Sequence, residues 1–479
     1  MENLPVSVLD QICTPTDDIL RRVDTQLREA LHKLERKIVV LDDDPTGVQT
    51  VHGVSVYTSW DKESLRSGFA EQNSLFFILT NSRGFSSEET RKAHKEIAQN
   101  ICEISKEMNK DFVLISRSDS TLRGHFPLET DVLRETVENL SNKRYDGEIL
   151  FPFFKEGGRF TIGNVHYVRE GDDLVPAAQT EFAKDKSFGY TKSHMGEYVE
   201  EKTGDAYKKN DCVYISLDDL RAVNTEKITR QLMSVKDFSK VIVNAVDYFD
   251  VKVFVVSYIQ ATLSGREFMF RSAAALTKVL GGVQDKPLLT RGELIDPKNH
   301  YGGIVLIGSH VHKTTQQFEA LRNSDCRLEF VEFNQHRVLE DGGLADEVEK
   351  VIKKTEECIN NGMNSIVYTR RERFDLDTDD KDAQLRISVE ISDAVTGIIR
   401  KLSVRPSFIV AKGGITSSDV GTKALLVKKA TVMGQIKPGI PVWMTGPESK
   451  FPEMPYVIFP GNVGGVETLR EIVDLLSAK

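Results

Sequence analysis

The chain has 479 residues, more than a single hydrophobic core usually supports, so two domains are expected. Its formal net charge of −9 argues against non-specific binding to nucleic acid or to an anionic membrane, and its apolar stretches are too short for a transmembrane helix. The five scattered cysteines include no C-x-x-C pair and no secretory signal is evident, which disfavours disulfide and zinc frameworks and predicts a cytoplasmic protein.

The segment from residue 14 to 37 is predicted to form one amphipathic helix, because apolar residues recur at spacings of three and four. This apolar stripe consists of Leu20, Val23, Leu27, Leu31 and Leu34. We expect the stripe to pack onto the body of the domain, with a contact in a homodimer as the alternative.

From Lys37 onward, short apolar runs alternate with helical segments, one of which opens with a capping box from Ser86 to Glu89. The predicted strands of the first series are 38–41, 75–79, 112–115, 149–151, 213–215 and 241–243. Those of the second series are 304–307, 328–331, 366–368, 408–410 and 456–459. This alternation predicts an α/β fold with two domains, each built on a largely parallel sheet with flanking helices.

The domain ranges follow from this pattern and from a polar, proline-containing stretch near residue 290. They are a helical extension over 1–36, a first domain over 37–284, a linker over 285–301 and a second domain over 302–479.

An acidic cluster, Asp42-Asp43-Asp44, directly follows the first predicted strand and precedes Pro45-Thr46-Gly47. Adjacent carboxylates repel one another and are costly to bury, so such a cluster needs a cation, a proton or hydroxyl donors nearby. In open α/β sheets, ligands bind beyond the carboxyl ends of the strands. The position of the cluster therefore predicts a binding site.

Two further strand ends of the first domain supply complementary groups: Arg83, and Asp119 with Arg123. A long polar loop adds Arg159 and His166 as further candidates. The planar guanidinium group matches a carboxylate or phosphate with two parallel hydrogen bonds. A carboxylate facing a polyol can accept a hydroxyl proton as general base. Together these residues predict one polar pocket, although their spacing names no substrate.

The second domain carries three glycine-rich turns, each between a predicted strand and a helix. Their candidate ligand-binding residues are Gly308, Ser309, Gly413, Gly414, Thr416, Ser417, Gly461, Asn462 and Gly464. Glycines let the backbone approach a phosphate, and helix N-terminal N–H groups donate to it. No G-x-x-x-x-G-K-[ST] loop and no G-x-G-x-x-G after a first strand occurs, which disfavours a P-loop kinase and a dinucleotide dehydrogenase. No metal ligands are assigned.

These motifs resemble those of the four-carbon acid sugar kinases, a family once known only as a domain of unknown function. The first-domain motifs are Asp43-Asp44-Pro45-Thr46-Gly47, Ser82-Arg83, Asp119-Ser120-Thr121-Leu122-Arg123-Gly124 and Gly158-Arg159 with His166. The turns at Gly308-Ser309, Gly413-Gly414-Ile415-Thr416-Ser417 and Gly461-Asn462-Val463-Gly464 look like the second-domain motifs.

The resemblance implies a first domain that binds a sugar acid and a second that binds ATP with Mg²⁺. It implies phosphorylation of the terminal hydroxyl of an acid such as threonate, erythronate or 3-oxo-tetronate. The substrate-binding residues would be Asp43, Asp44, Arg83, Asp119, Arg123, Arg159 and His166. Asp43, Asp44, Asp119 and Arg123 would also be catalytic. The stereochemistry and the carbon number of the acid stay open.

Two other functions are consistent with parts of the sequence. Asp42-x-Asp44-x-Thr46 also fits the D-x-D-x-T pattern of haloacid-dehalogenase phosphatases, with Asp42 as nucleophile. No later G-D-x-x-x-D motif supports that assignment. A non-catalytic sugar-acid sensor with two domains is the third possibility.

Overall fold

The computed structural model of the protein describes residues 2–12, 14–372, 374, 376, 381–461 and 463–477. Internal contacts divide the chain into two compact units. The N-terminal unit contains Met1–Val51 and Ser59–Asp285, and the C-terminal unit contains His52–Thr58 and Lys286–Lys479. The short segment His52–Thr58 therefore groups with the second half of the chain, and most of the stretch predicted as a linker is part of the C-terminal unit.

The strands, in chain order, are β1 (Leu4–Pro5), β2 (Lys37–Asp42), β3 (Ser55–Tyr57), β4 (Leu75–Leu79), β5 (Phe112–Arg117), β6 (Gly147–Phe151), β7 (Arg159–Ile162), β8 (Val165–Glu170), β9 (Asp173–Pro176), β10 (Val213–Ile215), β11 (Ser239–Val243), β12 (Phe268–Ser272), β13 (Ile304–Ile307), β14 (Leu328–Phe333), β15 (Asn364–Thr369), β16 (Ile409–Lys412), β17 (Lys429–Lys437), β18 (Ile440–Thr445) and β19 (Pro455–Phe459).

The helices are α1 (Val8–Gln11), α2 (Asp17–Lys33), α3 (Lys62–Ala70), α4 (Ser87–Met108), α5 (Leu128–Leu140), α6 (Met195–Lys202), α7 (Leu217–Arg221), α8 (Thr225–Met233), α9 (Tyr248–Leu263), α10 (Ala274–Leu280), α11 (Arg291–Leu294), α12 (His312–Leu321), α13 (Gly343–Asn360), α14 (Lys381–Lys401), α15 (Gly414–Asp419) and α16 (Thr468–Ser477). No helix in the described part of the chain is both long and apolar enough to cross a membrane.

Seven parallel strands form the main sheet of the N-terminal unit, in the order β10-β11-β6-β12-β5-β2-β4. The central strands are apolar along most of their length and buried on both faces, as parallel strands covered by helices require. Because the strands run in one direction, the residues that follow β2, β4, β5 and β12 meet at one edge of the sheet. This carboxyl edge holds the acidic cluster.

A small antiparallel sheet has the strand order β1-β9-β8-β7. Three of these strands, β7 to β9, lie within residues 159–176. The assignment of Arg159 and His166 to a long loop is wrong: Arg159 begins β7 and His166 lies in β8. The hairpin turn between these strands uses Gly163 and Asn164, both with positive φ, a two-residue pair typical of hairpins that the sequence analysis does not use. The short, partly polar strands gave too weak a periodicity for the sequence to predict them.

The C-terminal unit contains the strand order β3-β17-β18-β19-β16-β13-β15-β14. The five strands from β19 to β14 are parallel, whereas β3, β17 and β18 pair antiparallel. The sequence analysis predicts neither the hairpin of β17 and β18 nor β3. With both units built on mostly parallel sheets with flanking helices, the predicted α/β fold class is confirmed.

Helix α2 forms the N-terminal helical extension and confirms the predicted amphipathic helix in shortened form. It starts at Asp17 because the Thr16 hydroxyl accepts the Ile19 N–H at 3.4 Å. Val23 and Leu27 are buried within the N-terminal unit, and Lys252 of α9 pairs with Asp24 at 2.7 Å. The apolar stripe thus packs onto its own domain. The capping box from Ser86 to Glu89 is also confirmed.

Candidate functional site

Asp43, Asp44 and Arg83 form the centre of the carboxyl edge in the N-terminal unit. Arg83 Nη2 and Nε donate to the two carboxylate oxygens of Asp43 at 2.7 and 3.3 Å, and Arg83 Nη1 donates to Asp44 Oδ2 at 3.3 Å. Arg83 reaches them from a short turn after β4, preceded by Asn81 in the left-handed conformation. Asp44 also accepts the Thr46 N–H at 2.8 Å, which fixes the turn after β2.

The loop after β5 adds a second ion pair, between Arg123 Nε and Asp119 Oδ2 at 2.6 Å. The Thr121 hydroxyl also donates to this Asp119 oxygen. We call Asp43, Asp44, Arg83, Asp119 and Arg123 the carboxylate–arginine cluster. The structure therefore brings together, within one unit, five of the seven predicted substrate-binding residues.

The acidic members of the cluster differ in their pKa values. Burial raises the pKa of Asp43, despite the opposing charges of Arg83 and Arg117. Burial also favours a higher pKa for Asp44 and Asp119. In these two residues the neighbouring arginines and hydrogen-bond donors outweigh burial, so the pKa is lowered. Asp43 is thus the strongest base among the three.

His166 and two tyrosines hold the backbone of the loop after β5. His166 Nε2 lies 2.8 Å from the Ser120 carbonyl oxygen, and the hydroxyls of Tyr190 and Tyr198 donate to the carbonyls of Thr121 and Leu122 at 2.7 and 2.9 Å. Burial lowers the pKa of His166 to about 4, so the ring is neutral near pH 7. His166 is fully buried, and its geometry is that of a residue that positions the loop.

Arg159 lies beside this loop without an ion pair among the described residues. Its guanidinium and that of Arg123 both lie over the ring of Phe182, at 5.6 and 5.1 Å from the centroid. Arg159 Nε is buried and makes no hydrogen bond to any residue that the structure describes.

Four residues at this edge are missing from the sequence prediction: Arg117, Glu129, Arg271 and Ser272. Buried Glu129 accepts hydrogen bonds from Ser82 at 2.6 Å and from Arg271. Arg271 and Ser272 end β12, a strand that the sequence analysis does not predict. The apolar run Phe268-Met269-Phe270 before them is the signal that could have revealed both.

Asp42 occupies a closed position at the end of β2. It is 1% exposed, pairs with Arg117 Nη1 at 2.9 Å and packs so tightly on Gly47 that a Cβ there would lie 2.0 Å from its oxygen. Burial raises its pKa to about 7, and the Arg117 charge opposes this only in part. A carboxylate enclosed in this way is poorly placed to attack a phosphate ester.

In the C-terminal unit, the first and second glycine turns lie against each other. A Cβ on Gly308 would come within 2.6 Å of Thr416 Oγ1, and one on Gly413 would lie 3.3 Å from the Ser309 Cβ. Gly413 has φ +124°, a backbone conformation that residues with a side chain rarely adopt. The predicted residues Gly308, Ser309, Gly413, Gly414 and Thr416 therefore share one location.

The helix predicted to follow the second glycine turn is not one continuous α-helix. α15 ends at Asp419 and continues as a π-helix over Val420–Ala424. Ser417 is buried and donates to the Ala411 carbonyl at 2.8 Å, so its hydroxyl is used within the turn.

Lys412, which the sequence prediction also omits, connects the second turn to the third. Its ammonium group donates to the Pro460 carbonyl at 2.6 Å, and burial, together with the Lys313 charge, lowers its pKa to about 7. Gly461 and Gly464 lie in this third turn, while Asn462 falls outside the described residues. Gln317 donates to the Gly465 carbonyl at 2.9 Å and so holds the turn from α12.

Family models match most of the chain. A sugar-binding N-terminal domain model matches residues 38–280, and a nucleotide-binding C-terminal domain model matches residues 304–469. This pair of domains is the architecture of the four-carbon acid sugar kinases. The chain belongs to that family. The predicted resemblance is confirmed.

Solved structures share the fold of this sugar-kinase family member. A Haemophilus influenzae protein of family DUF1537, the earlier name of the family, is 17% identical, with a TM-score of 0.59 over 91% of this chain and 99% of its own. A Salmonella typhimurium LT2 protein with the provisional name tRNA synthase is 14% identical, with a TM-score of 0.63 over 91% and 97%. No protein of curated function matches the chain.

Proposed function

We propose that the protein is an ATP-dependent kinase that phosphorylates the terminal hydroxyl of a short sugar acid, with four carbons as the expected length. The observation that carries this proposal is the buried carboxylate–arginine cluster, whose groups suit the hydroxyls and the charge of such an acid. The matches to a sugar-binding and a nucleotide-binding domain in one chain support it.

In the proposed reaction, Asp43 accepts the proton of the attacking hydroxyl. The hydroxyl oxygen bonds to the γ-phosphorus, the bond from that phosphorus to the β–γ bridging oxygen breaks, and ADP leaves. Asp43 suits the role of base because its pKa is raised, whereas those of Asp44 and Asp119 are lowered. Phosphoryl transfer otherwise depends on positioning and charge neutralisation.

The backbone of the three glycine turns is proposed to hold the nucleotide phosphates. Mg²⁺ is the expected companion of ATP. In the described part of the chain no three His, Cys, Asp or Glu side chains are grouped to hold a metal, and the carboxylates of the cluster are paired with arginines. The residues thus form no protein cage for Mg²⁺, which is usually bound through phosphates and water with one or two carboxylates.

The proposal is tested by a coupled ADP-release assay with a panel of four- and five-carbon sugar acids, including their 3-oxo forms. We expect acid-dependent ADP release with at least one member. The variant Asp43→Asn should lower kcat by about 10²- to 10⁴-fold, the usual contribution of a general base.

Asp205→Asn is the matched control, because Asp205 is exposed, pairs only with Lys208 in the described structure and has a positive φ that asparagine tolerates. Its activity should equal that of the wild type. ATP binding without ADP release across the whole panel would contradict the substrate class, and absence of ATP binding would contradict the kinase.

The phosphatase alternative is separated by Asp42→Asn. A phosphatase that uses Asp42 as nucleophile would lose all turnover in this variant. A kinase that uses Asp43 should retain measurable activity, since Asp42 is enclosed by Arg117 and Gly47.

A further inference from the structure

A small cavity lies within the N-terminal unit, at the carboxyl ends of β5, β6 and β12. The cavity is partly open, and its volume of about 20 Å³ admits one small polar group at its inner end. The lining residues are Ser118, Asp119, Leu122, Leu150, Pro152, Met195, Tyr198, Arg271 and Ser272. The cavity therefore borders the carboxylate–arginine cluster through Asp119.

Two hydrogen-bond donors of the cavity wall have no partner in the described structure: Arg271 Nη2 and Ser272 Oγ. The two residues are only 7% and 3% exposed. A buried donor without a partner is costly, so two of them on one cavity indicate a missing acceptor. The other terminal nitrogen, Arg271 Nη1, is already used by Glu129 and by Ser116, the latter at 3.1 Å.

Of the three arginines that the sequence suggests for the substrate acid, none lines this cavity in the described structure. Arg159 also has a buried Nε without a partner among the described residues, but it does not adjoin the cavity. Arg83 uses all three of its side-chain nitrogens on Asp43 and Asp44. Arg123 donates through Nε to Asp119, and its Nη1 lies 3.8 Å from Asp185. Arg271 retains a buried nitrogen without an acceptor, and that nitrogen adjoins a cavity.

We propose that this cavity is the subsite for the carboxylate of the sugar acid, with Arg271 Nη2 and Ser272 Oγ donating to its oxygens. The inference deepens the proposed function and rests on it. From this subsite the carbon chain of the acid would extend toward Asp43, the proposed base. Arg271 Nη2 and Asp43 Oδ2 are close to each other, because a Cβ at Gly124 would lie 2.7 Å from the first and 3.3 Å from the second. Asp43 is thus within the length of a short carbon chain from the bound carboxylate.

The competing explanation is a structural water that satisfies both donors. A water would bind whether or not an acid is present, so the two explanations differ in the ligand's charge. The carboxylate subsite predicts that the protein binds an acid and rejects the corresponding sugar alcohol, which is uncharged.

Calorimetric titration without nucleotide tests the subsite. The ligand is the panel acid with the lowest KM or, if none turns over, D-erythronate and D-threonate. Erythritol and D-threitol are the uncharged analogues. In Ser272→Ala we expect acid affinity to fall on the order of 10- to 100-fold, the effect of one hydrogen bond to a charged group. The alcohols should bind weakly to both proteins.

Ser272→Ala should fold normally because its hydroxyl has no protein partner. Ser257→Ala is the matched control: Ser257 is equally buried in the same unit and donates only to the Val253 carbonyl in the described structure. It should leave acid affinity unchanged. Arg271→Lys, which keeps a positive charge for Glu129, should weaken acid binding at least as much as Ser272→Ala.

The outcomes separate the two proposals. Equal acid affinity in wild type and Ser272→Ala, with ADP release retained, overturns the subsite and leaves the kinase. Acid binding that depends on Ser272 without any ADP release supports the subsite and overturns the proposed phosphorylation of that acid. Neither acid binding nor ADP release overturns both.

Discussion

The carboxyl edge of the N-terminal sheet and the glycine turns of the C-terminal unit, the two proposed ligand sites, are built in different ways. The first relies on charged side chains that already satisfy one another, as in the pairs of Arg83 with Asp43 and Asp44. The second relies on backbone approach, with Gly413 and Gly308 packed closely against neighbouring turns. Side-chain charge suits the selection of hydroxyls and an acid, whereas exposed backbone N–H groups suit phosphate.

The largest effect on stability is expected from removing one buried charge at the N-terminal edge. Glu129→Gln should lower the free energy of unfolding by about 3–5 kcal/mol, because Arg271 would then be buried without its counter-charge. Urea unfolding followed by circular dichroism measures this. Glu107→Gln, which removes an exposed pair with Arg66, should cost far less, because water and salt screen that pair. Similar losses of unfolding free energy in both variants would mean that burial does not make the Glu129–Arg271 pair more important for stability.

Lys412 is a buried basic residue of the C-terminal unit, and its effect on stability should depend on pH. The pKa of Lys412 is lowered to about 7 from a usual 10.5. Between these values the unfolded chain holds a proton that the folded chain lacks, so this lysine's contribution to stability rises with pH. Against Lys412→Met, wild-type stability should gain about 2 kcal/mol between pH 7.5 and 9. A constant difference would place the folded pKa near its usual value.

The smallest expected effect comes from the backbone of the second turn. Gly413→Ala should lower stability by about 1–2 kcal/mol, because its φ of +124° strains any residue with a Cβ. It should also weaken binding of a non-hydrolysable ATP analogue. Gly397→Ala is the control, since that position in α14 has open space and alanine favours a helix. Unchanged nucleotide affinity in Gly413→Ala would argue against phosphate binding at this turn.

The sequence predicted most of the parallel strands, though not β12, and the residues of the cluster, because both leave strong local signals. Runs such as Leu75–Leu79 are wholly apolar, and Asp43, Arg83 and Asp119 each lie within four residues of the end of such a run. Parallel pairing then brings strand ends together without further information.

The residues that were missed depend on non-local contacts. Arg271 ends a strand whose apolar run is only three residues long, and Lys412 acquires its role from a carbonyl 48 residues away. β3 is three residues long and pairs with β17, more than 370 residues later. No local pattern encodes partners at such separations, and hydrophobic periodicity is weak in strands this short.

Because β3 pairs with β17, no single continuous segment of the gene encodes the complete C-terminal unit. A fragment that starts near Lys286 would lack the strand contributed by Ser55–Tyr57, so its β17 would expose unpaired N–H and C=O groups with which another chain can pair. During synthesis, β3 leaves the ribosome long before its partner β17 has been made. Cleavage of the chain near Asp285 would accordingly nick the protein without releasing a complete C-terminal half.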